Sequence, residues 1–229
     1  MTGGTEWTYW RPTEEGIVEL GTLHSSRVGL PIHFHDENQL TFVLSGRRRF
    51  VIRGELIDLL PGQGTFIRAG IPHFSLPEPS GVVCFNAYLP VGGYAAQTMI
   101  GEIRRLWHKA GLIRWPELAE VIRGHRAEMP TALMDRAASL PTDSSEPVSQ
   151  IAARMGMSRE GFSRMFARRA GMPPHAFRLM SRLNQARTLL RAGEAIACVA
   201  AETGFADQSH LGRRFRQAFG TTPGRYRAG

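Results

Sequence analysis

One pattern occurs twice in the last third of the chain, and this repeat constrains the fold more than any other feature. The two copies read Ile151-Ala152-Ala153, Gly156, Phe162, Phe166, Gly171, Pro174, Phe177-Arg178 and Val199-Ala200-Ala201, Gly204, Leu211, Phe215, Gly220, Pro223, Tyr226-Arg227. Corresponding residues lie 48 positions apart at the first glycine and 49 apart from Phe162 onward, so one residue is inserted at the turn or at the helix start. A short helix, a glycine-containing turn and a second helix form a helix-turn-helix unit. The repeat therefore predicts two such units.

The repeat lies in the basic part of the chain. Residues 148–229 contain 14 Arg and four acidic residues, a net charge of +10, whereas residues 1–147 carry a net charge of −2. Positive charge confined to one domain is typical of modules that bind a polyanion. Taken alone, the charge also fits a merely soluble basic surface, but together with two helix-turn-helix units it favours double-stranded DNA as the partner.

The rest of the composition predicts a cytoplasmic protein. Cys84 and Cys198 are the two cysteines of the 229 residues, they stand far apart in apolar runs, and we expect both to be reduced thiols. Residues 1–16 are polar and contain no apolar signal segment. No run approaches the ~18 apolar residues of a membrane span, so we expect no membrane partner.

Short β-like runs separated by Gly and Pro turns precede the basic segment. They are Ile17–Leu23, Val28–His35, Leu40–Leu44, Arg49–Arg53, Glu55–Leu59, Thr65–Arg68 and Val82–Tyr88. Many short strands with regular turns predict a β-sandwich or barrel. Helices are predicted over 94–109, 115–128 and 131–140, and the apolar stripe of the first either packs on its own barrel or pairs with a second copy. The predicted domains are a β-barrel (1–92), a helical linker and candidate dimerisation segment (93–129), and a DNA-binding domain (130–229).

A histidine pattern lies in the predicted barrel. His33, His35, Glu37 and Gln39 share the parity of one strand and face the same side if the strand continues through them. Three of these residues belong to a spacing that resembles the cupin family over about residues 17–89. The matching positions are Gly29, His33, His35, Gln39 and Gly46, then Gly62, Gly70 and His73. Gln39 stands where that family has an acidic metal ligand, Arg68 where it has Pro, and Pro77 where it has Asn.

The cupin resemblance implies a divalent metal held by three histidines and an acid. His33, His35 and His73 could hold such a metal, with Glu37 or Gln39 adding an oxygen ligand. A metal-free pocket with hydrogen-bonded histidines is the alternative, and the absence of the acid favours it. We therefore expect His33, His35, Gln39 and His73 to bind a small polar or anionic effector, with a divalent metal at the three histidines as the open option for a cofactor.

The second helix of each predicted unit has an apolar face and a polar face. We expect Ser158 and Asp207 to cap these helices. The polar faces, which would enter major grooves, hold Arg159, Glu160, Ser163, Arg164 and Arg168 in the first unit, and Gln208, Ser209, His210, Arg213 and Arg216 in the second. A linker helix over 175–191, roughly 25 Å long, would separate them by a distance near the ~34 Å between successive major-groove segments.

The second unit carries a specific resemblance. Gly204-Phe205-Ala206-Asp207-Gln208-Ser209-His210-Leu211, then Phe215, Phe219-Gly220, Pro223 and Tyr226-Arg227, resemble the signature of AraC/XylS-type transcription regulators, as do the linker-helix residues 182–187. The resemblance covers about residues 131–227 and implies a DNA-binding regulator whose N-terminal barrel senses a small molecule and often dimerises. Matching the motif makes Glu160, Ser163, Arg164, Gln208, Ser209, His210 and Arg213 the base-facing candidates. Arg182 is expected to contact the phosphate backbone or to support the linker helix.

The sequence thus predicts an α+β protein with a cupin-like β-barrel followed by an all-α domain of two helix-turn-helix units joined by a long linker helix. The favoured function is that of a non-enzymatic, effector-controlled transcription regulator that acts as a homodimer, with RNA polymerase as a further candidate partner. Two other classes compete with it. One is a metal-dependent cupin enzyme with an appended DNA-binding domain, and the other is an architectural DNA binder whose barrel serves only for dimerisation.

Overall fold

A computed structural model describes residues 6–25, 29–128 and 146–229. The strands are β1 Glu6–Trp10, β2 Glu19–Ser25, β3 Asn38–Gly46, β4 Arg48–Ile52, β5 Glu55–Leu59, β6 Gly64–Ile67, β7 His73–Ser75, β8 Val82–Leu89, β9 Gly93–Tyr94 and β10 Arg126–Ala127. The helices are α1 Ala96–Ala110, α2 Trp115–Gly124, α3 Val148–Arg154, α4 Arg159–Ala170, α5 Pro174–Arg191, α6 Ile196–Glu202, α7 Gln208–Phe219 and α8 Pro223–Ala228. The helix predicted over 131–140 lies outside the described residues.

The β-rich domain is built from two antiparallel sheets. One has the strand order β1-β2-β8-β3-β6 and the other the order β5-β4-β7. Successive side chains of a strand point to opposite faces, and the larger sheet has buried apolar residues on both of its faces. Phe42 and Phe85 belong to the face that packs on α1 and α2, whereas Val43 and Tyr88 face the second sheet and the helical domain. The α+β architecture is as predicted.

The strand predicted over 28–35 is wrong, and so is the parity argument that used it. Among residues 29–37, His33 makes an isolated bridge to His73, and the continuous strand begins only at Asn38. Pro31 has no N–H to donate to a ladder, and its carbonyl oxygen is bonded to the His33 ring. The helix predicted over 115–128 ends at Gly124, because residues 126–127 pair with β9 instead.

The stripe of α1 packs on its own barrel. Met99 and Ile103 are fully buried against the outer face of the large sheet, and Leu106 and Trp107 are partly buried there. Of the two expectations for this stripe, the structure therefore matches packing on the chain's own barrel rather than pairing with a second copy. A second copy would have to dock on another surface.

The two helix-turn-helix units are α3–α4 (the first unit) and α6–α7 (the second unit). The predicted caps are confirmed: Ser158 accepts a hydrogen bond from the Gly161 N–H, and Asp207 accepts one from the His210 N–H. Gly156 and Gly204 adopt φ of +66° and +72° at the two turns, a conformation that glycine reaches without strain. The 18 residues of α5 extend over about 27 Å between the units.

The helical domain packs directly against the barrel. One apolar cluster runs from the barrel interior through α5 to the second unit. The Phe34 ring stacks on Phe177 of α5 with centroids 4.7 Å apart, and the Tyr9 hydroxyl donates to the Phe219 carbonyl at 3.0 Å. The first unit has a smaller cluster of its own around Phe162. The second unit is therefore the one held most extensively by the barrel.

Candidate DNA-binding surface and histidine cluster

Most of the DNA-binding residues predicted on α4 and α7 lie on exposed faces of these helices. Phe162 and Phe166 bury one side of α4, and Leu211 and Phe215 bury one side of α7. The residues that remain exposed are Arg159, Glu160, Arg164 and Arg168 on α4 and Gln208, Ser209, Arg213 and Arg216 on α7, while Ser163 and His210 are half-buried. Arg164 and Arg213 occupy the same position in their helices, five residues after the first.

Two predicted DNA-binding residues have intramolecular partners. The His210 ring lies edge-on to the Phe205 ring with centroids 5.4 Å apart, which limits its reach into a groove. Arg182 Nε donates to the Thr203 carbonyl at 2.6 Å and its Nη2 donates to the Gly204 carbonyl. Its guanidinium also lies over the Phe205 ring. Of the two roles expected for Arg182, this geometry matches support of the fold, because it ties α5 to the turn of the second unit.

The three predicted histidines come together in the barrel as a histidine cluster (His33, His35 and His73). All three are buried, and their candidate ligand atoms lie within 4.8 Å of one another. The ring centroids of His33 and His73 are 4.3 Å apart, and those of His33 and His35 are 4.9 Å apart. The pairing of His33 with the start of β7 brings the rings together, rather than a shared strand face.

Burial keeps these imidazoles neutral. It lowers the pKa of His73 to about 4. Burial, and then the neighbouring His73, lowers the pKa of His33 well below its ordinary value. For His35, burial again comes first and the Arg187 guanidinium second, and its pKa is also well below the ordinary value. The cluster therefore presents lone pairs and N–H groups rather than positive charge.

The other predicted ligands, Gln39 and Glu37, bond to residues outside the histidine cluster. Gln39 Nε2 donates to Thr41 Oγ1 at 2.9 Å, and Thr41 donates to Asn86 Oδ1 at 2.7 Å. Gln39 Oε1 is buried and has no hydrogen-bond partner among the described residues. Glu37 forms salt bridges to Arg187 and Arg191, so its carboxylate is not an oxygen ligand for the histidine cluster as folded.

Sequence reasoning missed a buried ion-pair network next to the cluster. This arginine–glutamate network consists of Glu19, Glu37, Arg187 and Arg191, two residues from the barrel and two from α5. The Arg187 side chain is 1% exposed and that of Glu19 is 0% exposed. Arg187 Nη1 also lies 3.0 Å from His35 Nδ1. The network therefore joins the histidine cluster to the linker helix.

The charges of the network stabilise one another. Burial alone would raise the pKa of Glu37, but Arg187 and Arg191 outweigh it and hold the pKa below its ordinary value. Burial opposes the charge on Arg187, but Tyr226, Glu37 and Glu19 raise its pKa well above the ordinary value. Arg187 Nε donates to the Tyr226 hydroxyl at 3.2 Å. Glu37 and Arg187 are thus both charged at neutral pH.

One sequence signal could have found Arg187. The buried positions of α5 include Met180, Leu183, Asn184, Arg187 and Leu190, which follow the i, i+3, i+4, i+7 spacing of an apolar stripe. An arginine on such a stripe is seldom buried without a charged partner. The partner could not be named from sequence, because Glu19 lies 168 residues away.

The histidine cluster fits a divalent metal that accepts nitrogen ligands, such as Zn²⁺. The rings of His33 and His73 are fixed by bonds between Nδ1 and the carbonyl oxygens of Pro31 and Ile71, at 2.7 and 2.9 Å, as second-sphere bonds do for zinc-binding histidines. The Nε2 atom of His73 is buried with no hydrogen-bond partner in the described part of the chain. His33 and His73 each supply one such nitrogen, and His35 would complete the three histidine ligands of an open zinc site.

Comparison with known families assigns both parts of the chain. Residues 16–106 match the AraC-like ligand binding domain, and residues 133–229 match a helix-turn-helix domain. The protein thus joins a β-domain that matches a ligand-binding family to a helical domain that matches a helix-turn-helix family. The chain therefore carries matches to both domains of AraC-type regulators, as the sequence resemblance predicts, and transcription regulators are among its relatives.

The relatives agree with this assignment. The HTH-type transcriptional regulator MtrA of Neisseria gonorrhoeae is 30% identical over 48% of this chain and 37% of its own length. The transcriptional activator NphR of a Rhodococcus species is 38% identical over 37% of this chain and 25% of its own length. The chain therefore spans well under half the length of these curated relatives.

A solved structure supports the fold over the whole chain. ToxT of Vibrio cholerae, crystallised with an unsaturated fatty acid, has a TM-score of 0.51 at 10% identity, covering 99% of this chain and 95% of that one. A second ToxT structure, from strain O395, has a TM-score of 0.52 at 10% identity, covering 98% and 97%. In the described ranges of the present chain, none of the helices has both the length and the apolarity that a membrane crossing requires.

Proposed function

We propose that the protein regulates transcription by binding specific double-stranded DNA through α4 and α7, under the control of a small molecule in the barrel. The observation that carries this proposal is the direct packing of a barrel with buried, partly unsatisfied polar groups onto the helix that joins two DNA-binding units. Occupancy of the barrel can then influence how the units are held.

The DNA surface is supported by matching positions in the two units. Arg164 and Arg213 project from equivalent turns of α4 and α7, and both are exposed. An arginine in a major groove can donate two hydrogen bonds to one guanine. The roughly 27 Å length of α5 is close to the ~34 Å that separates successive major-groove segments on one face of DNA, so one chain can reach two of them.

The barrel favours a ligand that donates hydrogen bonds. Gln39 Oε1 and His73 Nε2 are both acceptors, both buried, and both without a hydrogen-bond partner among the residues described. Leaving a buried polar atom unpaired costs about 1–3 kcal/mol, which a donor group would recover. The neutral imidazoles give no positive charge to an anion. Of the polar or anionic effectors expected from sequence, we therefore propose a polar one.

A divalent metal is the other occupant that the histidine cluster supports, and it carries the alternative function of a metal-dependent enzyme. Metal content measured together with turnover assays separates the two. A stoichiometric redox metal with product formation would favour the enzyme, and zinc without turnover would favour a regulator with a metal-containing sensor.

We also propose a cytoplasmic homodimer that acts on RNA polymerase. Since the α1 stripe is used within the chain, the dimer would form through another surface, and sedimentation velocity of the full chain tests whether it forms. An entirely monomeric protein with and without operator DNA would refute the dimer.

The central experiment is selection of bound DNA from a random pool, repeated with and without metabolite mixtures. We expect enrichment of a site with two recognised segments about one helical turn apart, and a change in enrichment with some mixtures. Random DNA recovered at the same level as any selected sequence would refute the proposal. His73→Ala should abolish the response to mixtures while preserving the selected sequence.

A further inference from the structure

We propose that a divalent metal at the histidine cluster and the guanidinium of Arg187 compete for His35, so that metal binding breaks one contact between the barrel and the linker helix. The inference rests on the proposed metal site and adds how its occupancy reaches the helical domain. It depends on which nitrogen of each ring carries the proton.

His33 and His73 present lone pairs to the cluster. The Nδ1 atom of His33 lies 2.7 Å from the Pro31 carbonyl oxygen, and that of His73 lies 2.9 Å from the Ile71 carbonyl oxygen. A carbonyl oxygen can only accept, so Nδ1 of each neutral ring carries the proton. The lone pair is then on Nε2, where a metal can use it.

His35 has the opposite arrangement. Its Nδ1 atom lies 3.0 Å from Nη1 of Arg187, and a guanidinium can only donate. Nδ1 of His35 is therefore the acceptor, and the single proton of the neutral ring is on Nε2. With Arg187 in place the cluster offers two lone pairs through Nε2, one fewer than the three protein ligands of an open zinc site.

Coordination by His35 is incompatible with the bond to Arg187 by either route. If the metal binds Nε2, the ring proton transfers to Nδ1 through water, and an N–H then faces the N–H of Arg187. If the metal binds Nδ1, it takes the lone pair that Arg187 uses now. In both cases the positive charges of the metal and the guanidinium add a repulsion that favours separation.

The broken contact lies where it can affect DNA binding. Arg187 is on α5, which joins the two helix-turn-helix units, and it also contacts Glu19 and Glu37 of the barrel and Tyr226 of α8. Binding at two coupled sites is reciprocal: if Arg187 weakens metal binding by some factor, metal weakens the hold of Arg187 by the same factor. Metal would thus loosen α5 from the barrel.

The first test measures Zn²⁺ affinity of the full chain by competition with a chromophoric chelator. We expect Arg187→Met to tighten zinc binding by about 5–150-fold, the usual range of coupling between sites. Arg191→Met is the matched control, since Arg191 lies in the same arginine–glutamate network and has no bond to His35. We expect it to leave the affinity unchanged. Equal tightening in both variants would indicate general electrostatics and overturn the competition.

A second measurement needs no substitution at Arg187. Nitrogen NMR of ¹⁵N-histidine-labelled wild-type protein reports which ring nitrogens carry protons. We expect the metal-free protein to have an unprotonated Nδ1 in His35 and protonated Nδ1 atoms in His33 and His73, and we expect zinc to change His35 alone at that atom. Zinc bound with the His35 pattern unchanged would overturn the inference and keep the metal site.

The outcomes separate the inference from the site on which it rests. Zinc binding to Arg187→Met but not to wild type supports the competition in its strongest form. A third variant, Arg187→Met/Glu19→Leu, also removes the buried carboxylate that pairs with Arg187. No zinc binding to wild type, to Arg187→Met or to this double variant overturns both the metal site and the inference. Binding of specific DNA would remain a separate result in that case.

Discussion

Replacing Arg187 by methionine should destabilise the protein strongly, because it removes the cation from two buried carboxylates. The Glu19 side chain is 0% exposed and that of Glu37 is 10% exposed, and both are paired with Arg187. Removing one partner of a buried ion pair costs about 3–5 kcal/mol, since the remaining charge stays in a poorly solvated site. Arg191, with Nη1 3.9 Å from Glu19, limits the loss, so we expect about 3 kcal/mol.

Two further variants test the reasoning. Arg191→Met removes a cation whose side chain is 15% exposed, and we expect a smaller loss of about 1–2 kcal/mol. Arg187→Met/Glu19→Leu removes the guanidinium together with its most buried carboxylate partner, and we expect it to recover most of the stability, because buried pairs replaced by apolar residues are often neutral or stabilising.

The assay is urea unfolding of the full chain at pH 7, followed by circular dichroism and by tryptophan fluorescence. The free energy of unfolding is compared between variants only where the two probes give coincident transitions. The reasoning would be refuted by a loss below about 1 kcal/mol for Arg187→Met, or by a double variant no more stable than the single one. Either result would show that Arg187 does not compensate for the burial of the two carboxylates.

Four other outcomes follow. DNA affinity should fall steeply with salt, by about 0.9 log units per log unit of salt for each neutralised phosphate, and a flat profile would contradict DNA binding through the basic domain. Arg213→Ala should lose about 1–3 kcal/mol of discrimination between bases at one or two base pairs. Arg214→Ala is the control, because the next residue of a helix points in another direction, and it should keep the base preference. Selection of bound DNA with both variants checks this. Arg182→Ala should lower stability without altering base preference, because its bonds to Thr203 and Gly204 support the turn, as unfolding and selection together will show. With chelator present, the free energy of unfolding should be highest above pH 6.5 and should fall as the pH is lowered towards 4. The pKa of His73 is lowered to about 4 in the folded protein, so the unfolded chain binds this proton at a higher pH than the folded one does. A His73→Gln variant with the same pH profile would refute this.

Features set by local chemistry could be predicted from the sequence. Ser158 and Asp207 each precede a helix and can accept a bond from its first turn, whatever the rest of the chain does. Gly156 and Gly204 adopt positive φ at the turns, where glycine alone avoids strain. The apolar spacing on α4 and α7 then decides which face is buried and leaves Arg164 and Arg213 on the other.

The histidine cluster was predicted correctly as a set of residues but for the wrong geometric reason. Strand parity assumed a continuous ladder through His33 and His35, whereas residues 34–37 belong to no strand and the bridge to His73 brings the rings together. Parity extends only as far as regular hydrogen bonding does, so an interrupted strand removes the basis for the argument. The family resemblance had supplied the correct set of histidines.

The link between the two domains was decided by tertiary structure alone. Arg187 meets His35 across 152 residues and Glu19 across 168, and no local pattern relates positions so far apart. The sequence by itself determined two helix-turn-helix units and a β-rich domain, because each depends on short-range spacing, and the family resemblance added the group of histidines. The packing of one domain against the other decides which carboxylates neutralise the buried arginine of α5. The same packing decides how the barrel holds the linker helix.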